Sequence, residues 1–290
     1  MSCHTGMTYL VARPALRRAL GQTEPTKYET ALLNRLRSNV GAKPPAALRD
    51  VEVIFAALFL AANDVQRKTL SPDTQKAFDQ LWTLQLHDGE GRGAWKWYQA
   101  DLDPWEMADS TYFGASLAAL AVGMTPPEYR QRPDVRPNID RLVHYLKEGM
   151  TAQPLHNRLA LVWASSGLED LLSTSARQAL IEDIFRAQAA DGGWSIQSLG
   201  PWKAQSGAPE ATGSSSYATG FVAYVLQQAP GIDSNDRRLQ RALDWLRARQ
   251  DPASGSWPSV SMNKSYPDGS MEQSFMRDAA TAFAAAALAR

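Results

Sequence analysis

Trp245-Leu246, three residues, Gln250, four residues, Gly255-Ser256-Trp257 is the stretch on which the fold is read. Each part has a physical use. The glycine frees the chain to turn after a helix. The glutamine amide can bond backbone groups left open at a helix end. The tryptophan packs a broad ring and donates one N–H. The pattern recurs. Ile184, three residues, Gln188, three residues, Gly192-Gly193-Trp194 is a second copy. Leu81, three residues, Gln85, then Gly93-Ala94-Trp95 after a longer insert is a third. Tyr145-Leu146 opens a degenerate fourth, with Met150 where the glutamine belongs. Self-similarity of this kind signals a repeat architecture.

Around these copies the apolar residues recur at three- and four-residue spacing, which predicts helices. The clearest segments are Lys27–Asn39, Ala46–Asn63, Pro72–Leu86, Asp109–Val122, Ile139–Gly149, Leu155–Ser165, Thr174–Ala190, Ser215–Gln228, Asp236–Gln250 and Arg277–Ala289. No alternating stretch is long enough to argue for a sheet. Pro72–Leu86, Thr174–Ala190 and Asp236–Gln250 are polar on one side. Phe113–Val122 and Ala279–Ala289 are small and apolar nearly all round, so they must be buried. Outer amphipathic helices shielding inner apolar ones make a double ring, against the alternatives of an irregular bundle or a solenoid.

The copies are similar to the QW motif of squalene–hopene cyclases and oxidosqualene cyclases: an aromatic residue, Leu, three residues, Gln, a spacer, then Gly-x-Trp. The match at Trp245–Trp257 is complete, and the resemblance runs from about Leu81 to the C-terminus. It implies an all-α fold, an α/α toroid of about five to six helix pairs. Residues 1–24 then read as an N-terminal extension and 25–290 as one toroid domain. The motif residues have a stability role.

The resemblance also places chemistry on the loops after Gly-x-Trp and on the first turn of the next inner helix. Class II cyclases carry Asp-x-Asp-Asp there, and the middle acid protonates the substrate. The corresponding residues are Glu106-Met107-Ala108-Asp109, with alanine in the middle place. Glu106 and Asp109 could still work as a pair, since two nearby carboxylates do not both ionise easily. The alternative is that Asp109 caps the following helix and Glu106 is a solvated loop residue. Asp278 carries the same ambiguity between acid and cap. Asp101 and Asp103 read as loop acids. Trp97, Trp105, Tyr112, Phe113, Tyr217 and Phe275 are the aromatic candidates for holding a substrate, with half or more of such rings expected to be core. His156 opens a buried helix and is a further polar candidate.

The implied activity is acid-initiated cyclisation of an isoprenoid, with an apolar isoprenoid-like small molecule as partner. Two other readings stay open: a non-catalytic toroid that binds lipid or protein, and a carbohydrate-active α/α-barrel enzyme. Lys+Arg and Asp+Glu both number 30 in 290 residues, so there is no electrostatic footprint for nucleic acid. Peripheral membrane contact and a homodimer are compatible with the chain. His87 and His144 lack metal-ligand spacing, so no metal is expected. Cys3 is the one cysteine, which rules out an internal disulfide. Cys3-His4 matches the back half of a c-type haem attachment site, but two thioethers cannot form from one cysteine. No cofactor is expected unless the native chain starts earlier. The compartment reads as cytoplasmic as the chain stands, and as periplasmic with a longer N-terminus.

Overall fold

The computed structural model describes residues 6, 8–41, 46–65, 69–202, 204–205, 207–208 and 213–289. Among these residues twelve α-helices follow in order: α1 (Thr8–Ala19), α2 (Lys27–Asn39), α3 (Arg49–Asp64), α4 (Pro72–Leu84), α5 (Ser110–Gly123), α6 (Pro127–Arg130), α7 (Arg136–Gly149), α8 (Leu155–Ala164), α9 (Thr174–Arg186), α10 (Ser216–Gln228), α11 (Arg237–Arg249) and α12 (Met271–Leu288). No strand forms among the described residues; Leu102 and Glu106 make one isolated antiparallel bridge.

The helix starts follow from short polar side chains. Ser71 accepts the Thr74 N–H at the head of α4, with Pro72 in the first turn. At α2 the Glu29 N–H donates to Thr26 Oγ1 and the Thr26 N–H to Glu29 Oε2, a reciprocal capping box. The helix expected at Arg277–Ala289 instead begins at Met271, where Ser270 accepts the Gln273 N–H. Its first turns, Glu272-Gln273-Ser274, are polar and lack the apolar period that reveals a helix in sequence. Asp278 therefore lies inside α12 and does not cap it.

The chain divides into two compact units. The first holds residues 25–153 and 160–174, the second residues 2–24, 154–159 and 175–290. In the first, α3 packs on α2, α4 and α5, and α5 packs on α7. Twelve of the sixteen residues of α3 are buried, and twelve of the fourteen of α5. Outer α4 buries a stripe instead: Thr74, Ala77, Phe78, Leu81 and Trp82. In the second unit α10 packs on α11 and α12, and α1 packs on α12. α10 is buried from Ser216 to Leu226, while outer α11 buries Leu239, Ala242, Leu243, Trp245 and Leu246. Each unit thus alternates helices apolar all round with amphipathic ones, as the pattern predicts.

The repeat is a set of backbone ties. The indole N–H of Trp95, Trp194 and Trp257 donates to the carbonyl of Leu81, Ile184 and Leu246 respectively, at 2.7–2.8 Å. Each acceptor is the motif's own helix residue four positions before its glutamine. The glutamine amide donates to the motif glycine carbonyl: Gln85 to Gly93, Gln188 to Gly192, Gln250 to Gly255. Gln85 and Gln188 make a second bond, to the carbonyls of Asn138 and Arg238 near the start of the next outer helix. Gly93 and Gly192 have φ of 99° and 97°, and a Cβ on either would run into a carbonyl of that same helix, from Arg141 or Arg241. Only glycine fits there. The N–H of Trp194 and Trp257 adds a bond to Thr219 Oγ1 and Thr281 Oγ1 of the following inner helix.

The degenerate copy is completed from elsewhere. Leu146 occupies the place of Leu81, Ile184 and Leu246, and its carbonyl receives the Tyr112 hydroxyl at 2.6 Å. Tyr112, from α5, makes the bond that a motif tryptophan makes in the other copies.

Trp194→Ala should lower stability by roughly 3–5 kcal/mol, the range for truncating a buried tryptophan. Gln188→Ala, which leaves two carbonyls without their donor, should cost about 1–3 kcal/mol. Urea unfolding followed by circular dichroism measures both, and values near zero would refute the tie. Tyr112→Phe removes one hydroxyl and should cost about 1–2 kcal/mol, read in the same way.

Candidate functional site

In the first unit the chain between Trp95 and α5 forms an ordered loop that carries Asp101, Asp103, Glu106 and Asp109. The Glu106 N–H donates to the Leu102 carbonyl and the Glu106 carbonyl accepts the Ala100 N–H, both at 2.9 Å. Glu106 is therefore in extended chain, not helical with Asp109, and their three-residue spacing does not pair them by helical geometry. The indole N–H of Trp97 donates to the Trp105 carbonyl at 2.7 Å. The Trp97 ring sits where a Cβ on residue 114 would be, edge-on to Phe55 at 6.0 Å and to Phe113 at 6.3 Å. Gly114 is the residue that admits it. At the far side of the loop the Lys96 N–H donates to buried Asp50 of α3.

Asp109 stands at the cap position of α5 but its side chain makes no capping bond, which overturns the cap reading. It is half-buried, and burial raises its carboxyl above the ordinary carboxylate range. Asp103 is likewise half-buried. Its carboxyl is raised by burial first and by the negative charge of Asp109 second. Asp103 is thus the loop acid whose carboxyl feels the charge of Asp109. Sequence reasoning set Asp103 aside as a loop acid. Nothing in Asp103-Pro104 signals that the loop doubles back toward α5.

The aromatic candidates of this unit are mostly core. Tyr112 is 1% exposed, Phe113 3%, Trp97 7% and Trp105 7%. The Tyr112 hydroxyl donates to the Leu146 carbonyl and Phe113 packs edge-on to Trp97. A shallow cleft of about 330 Å³ lies in this unit at the C-terminal ends of α3 and α5, lined by Asp64, Leu70, Met124, Pro127 and neighbours. It contains none of the expected site residues.

In the second unit His156 and Tyr217 come together. His156 is fully buried; its Nε2 lies 3.0 Å from the Tyr217 hydroxyl and its Nδ1 3.2 Å from Asn157 Oδ1. An amide oxygen can only accept, so Nδ1 carries the proton and Nε2 accepts from the tyrosine. Trp202 meets the imidazole edge-on at 5.4 Å and Phe221 lies 5.3 Å away. Burial in this box lowers the imidazole pKa to about 4. Phe275 and Asp278 lie on α12, Phe275 half-buried and Asp278 exposed on the helix surface. Partial desolvation raises the Asp278 carboxyl against the lowering effect of Arg277.

Among the described residues no group of His, Cys, Asp and Glu is arranged to hold a metal ion, and no helix is long and apolar enough to cross a membrane. Cys3 and His4 lie outside the described residues.

No protein-family model matches the sequence, and no curated protein does. Solved structures do match. The GH76A α-1,6-mannanase of Salegentibacter sp. HEL1_6 aligns with a TM-score of 0.59 at 14% identity, over 100% of this chain and 90% of that one. An inactive variant of that mannanase with two aspartates replaced, in complex with α-1,6-mannotriose, aligns at 0.59 and 14% over 98% and 89%. A protein from Salmonella enterica described as a possible member of the GH105 family aligns at 0.57 and 13% over 98% and 82%. The chain has the α/α toroid fold. The similar structures are glycoside-hydrolase toroids, and they do not support membership of the squalene–hopene cyclase family. The expectation of an apolar isoprenoid partner is corrected on the same finding, since inactive variants of the mannanase are in complex with α-1,6-mannotriose and α-1,6-mannotetrose.

His156 gives a test of the second unit. The folded imidazole titrates near 4 and an unfolded one near 6.5. Between these values the unfolded chain binds more protons, so stability is full above about pH 6.5 and falls as pH drops. The loss from pH 7 to pH 4 should be about 3 kcal/mol relative to His156→Gln, which lacks the titrating ring. Urea midpoints at the two pH values measure it; equal slopes for both proteins would overturn the buried neutral histidine.

Proposed function

We propose that this toroid is a carbohydrate-active enzyme that hydrolyses a glycosidic bond, with Asp109 as the general acid and Asp103 as its carboxylate partner. The observation that carries the reading is the half-buried pair itself. Both carboxyls are raised by burial, and the charge of Asp109 raises Asp103 further. Both effects favour the protonated form, so these carboxyls hold a proton to higher pH than solvated ones do. Glycoside hydrolysis needs a combination: one carboxylic acid to protonate the departing oxygen and one carboxylate to activate water or attack the sugar. The pair lies at the head of an inner helix on the loop after Gly-x-Trp. The fold is the one shared with the mannanase structures. Glu106 is half-buried on the same loop.

The test is release of reducing ends from a panel of neutral oligosaccharides that includes α-1,6-mannotetraose. Wild-type protein should act on at least one of them. Asp109→Asn should lower kcat by roughly 100-fold or more. Its melting temperature at neutral pH should hold or rise, because a carboxyl raised by burial disfavours the folded state once ionised. Asp103→Asn should also lose activity. A panel left untouched by wild-type protein, or full turnover by Asp109→Asn, would overturn the reading.

A further inference from the structure

The loop that carries the acids is fastened to the head of α5 through Ser110, whose N–H donates to the Met107 carbonyl at 3.1 Å and whose buried hydroxyl makes two further bonds. Ser110 is the first residue of α5 and is fully buried. Its Oγ accepts the Met107 N–H at 2.9 Å and donates to the Pro104 carbonyl at 3.2 Å. Pro104 directly follows Asp103, and Met107 directly follows Glu106. Asp109 directly precedes Ser110, and its carbonyl accepts the Tyr112 N–H in the first turn of the helix. One oxygen therefore stands between the peptide that carries Asp103 and the helix end that carries Asp109. The Trp97 indole holds the Trp105 carbonyl between those two bonds, so the stretch 104–107 is held at three successive points.

We propose that Ser110 is a positioning residue, whose buried hydroxyl sets the spacing of the Asp103 and Asp109 carboxyl groups by holding the 104–107 loop against the head of α5. Its consequence for hydrolysis rests on the function proposed above; the spacing itself does not. Two like charges repel, and a surface loop gives way to that force unless its backbone is tied. Ser110→Ala removes the acceptor of one tie and the donor of the other in one step. Further charged groups are Lys96, Asp101 and Glu106 on the loop, Asp50 and Glu52 in the first turn of α3, and Lys147 and Glu148 in the last turn of α7; α3 and α7 both pack on α5. They are common to wild type and variant, so a difference between the two reads the tie.

The experiment is an NMR titration of the side-chain carboxyl carbons of Asp103 and Asp109 in the full chain without substrate. In Ser110→Ala both should titrate lower than in wild type, by roughly half a pH unit or more, as the charges separate and gain water. Ser110→Thr, which keeps the hydroxyl, should return them toward wild type. Ser116→Ala is the structural control. Ser116 is an equally buried serine of α5, and its hydroxyl donates to the Tyr112 carbonyl within the helix, away from the loop. It should leave both titrations unchanged. If Ser110→Ala does not fold, Ser110→Cys, close in shape and weaker in both bonds, must show the same shift in smaller measure. Titrations in Ser110→Ala or Ser110→Cys that match wild type, or a shift in Ser116→Ala as large as in Ser110→Ala, would overturn the proposal. A chain that hydrolyses no glycan yet shows the Ser110 shift would lose the enzyme reading and keep this one.

Discussion

A helix that ends leaves carbonyls without donors, and this chain answers that constraint the same way three times. The indole of a following tryptophan reaches back to the helix that has just ended, and a glutamine amide closes the turn between them. Twice that amide also reaches the next outer helix. Neighbouring helix pairs are thereby bonded through backbone groups whose positions do not depend on surface side chains. The loops that follow start from fixed points, and the acids at the head of α5 inherit their placement from Trp95.

The acid loop is built by opposing forces. Burial acts against ionised Asp103 and Asp109, and the charge of Asp109 acts further against ionised Asp103. Bonds from Ser110 and Trp97 hold the backbone where those forces arise. The tied backbone keeps both carboxyls in the surroundings that raise them, where acids on a free loop would gain water and ionise more readily.

The fold was legible because its signals are local and repeated. Gly-x-Trp at fixed distance from a glutamine survives in three copies, and inner helices such as α5 are apolar on every side. The start of α12 was not legible, since Glu272-Gln273-Ser274 has no apolar period and only the Ser270 cap marks it. The site was legible in part. The loop after Trp95 and the residue Asp109 could be named from spacing. Asp103 could not, because the loop brings its peptide back to the head of α5 through a chain reversal that leaves no mark in residue type. Ser110 was hidden for the same reason: a serine beside a helix start reads as a cap, whereas here it faces back along the loop. The substrate class was misread because the repeat speaks for the scaffold, and unrelated chemistries can share a scaffold.

The borrowed tyrosine at the fourth repeat has a consequence for how this chain can vary. In the other copies the bond to the outer helix is made by the loop's own tryptophan, so those loops must carry Gly-x-Trp whatever else they do. After α7 the bond comes from Tyr112 of α5 instead, and the connection to α8 is only Met150–Pro154. That connection is released from the motif. Residues can be inserted or grafted there with the bond between Tyr112 and Leu146 left intact.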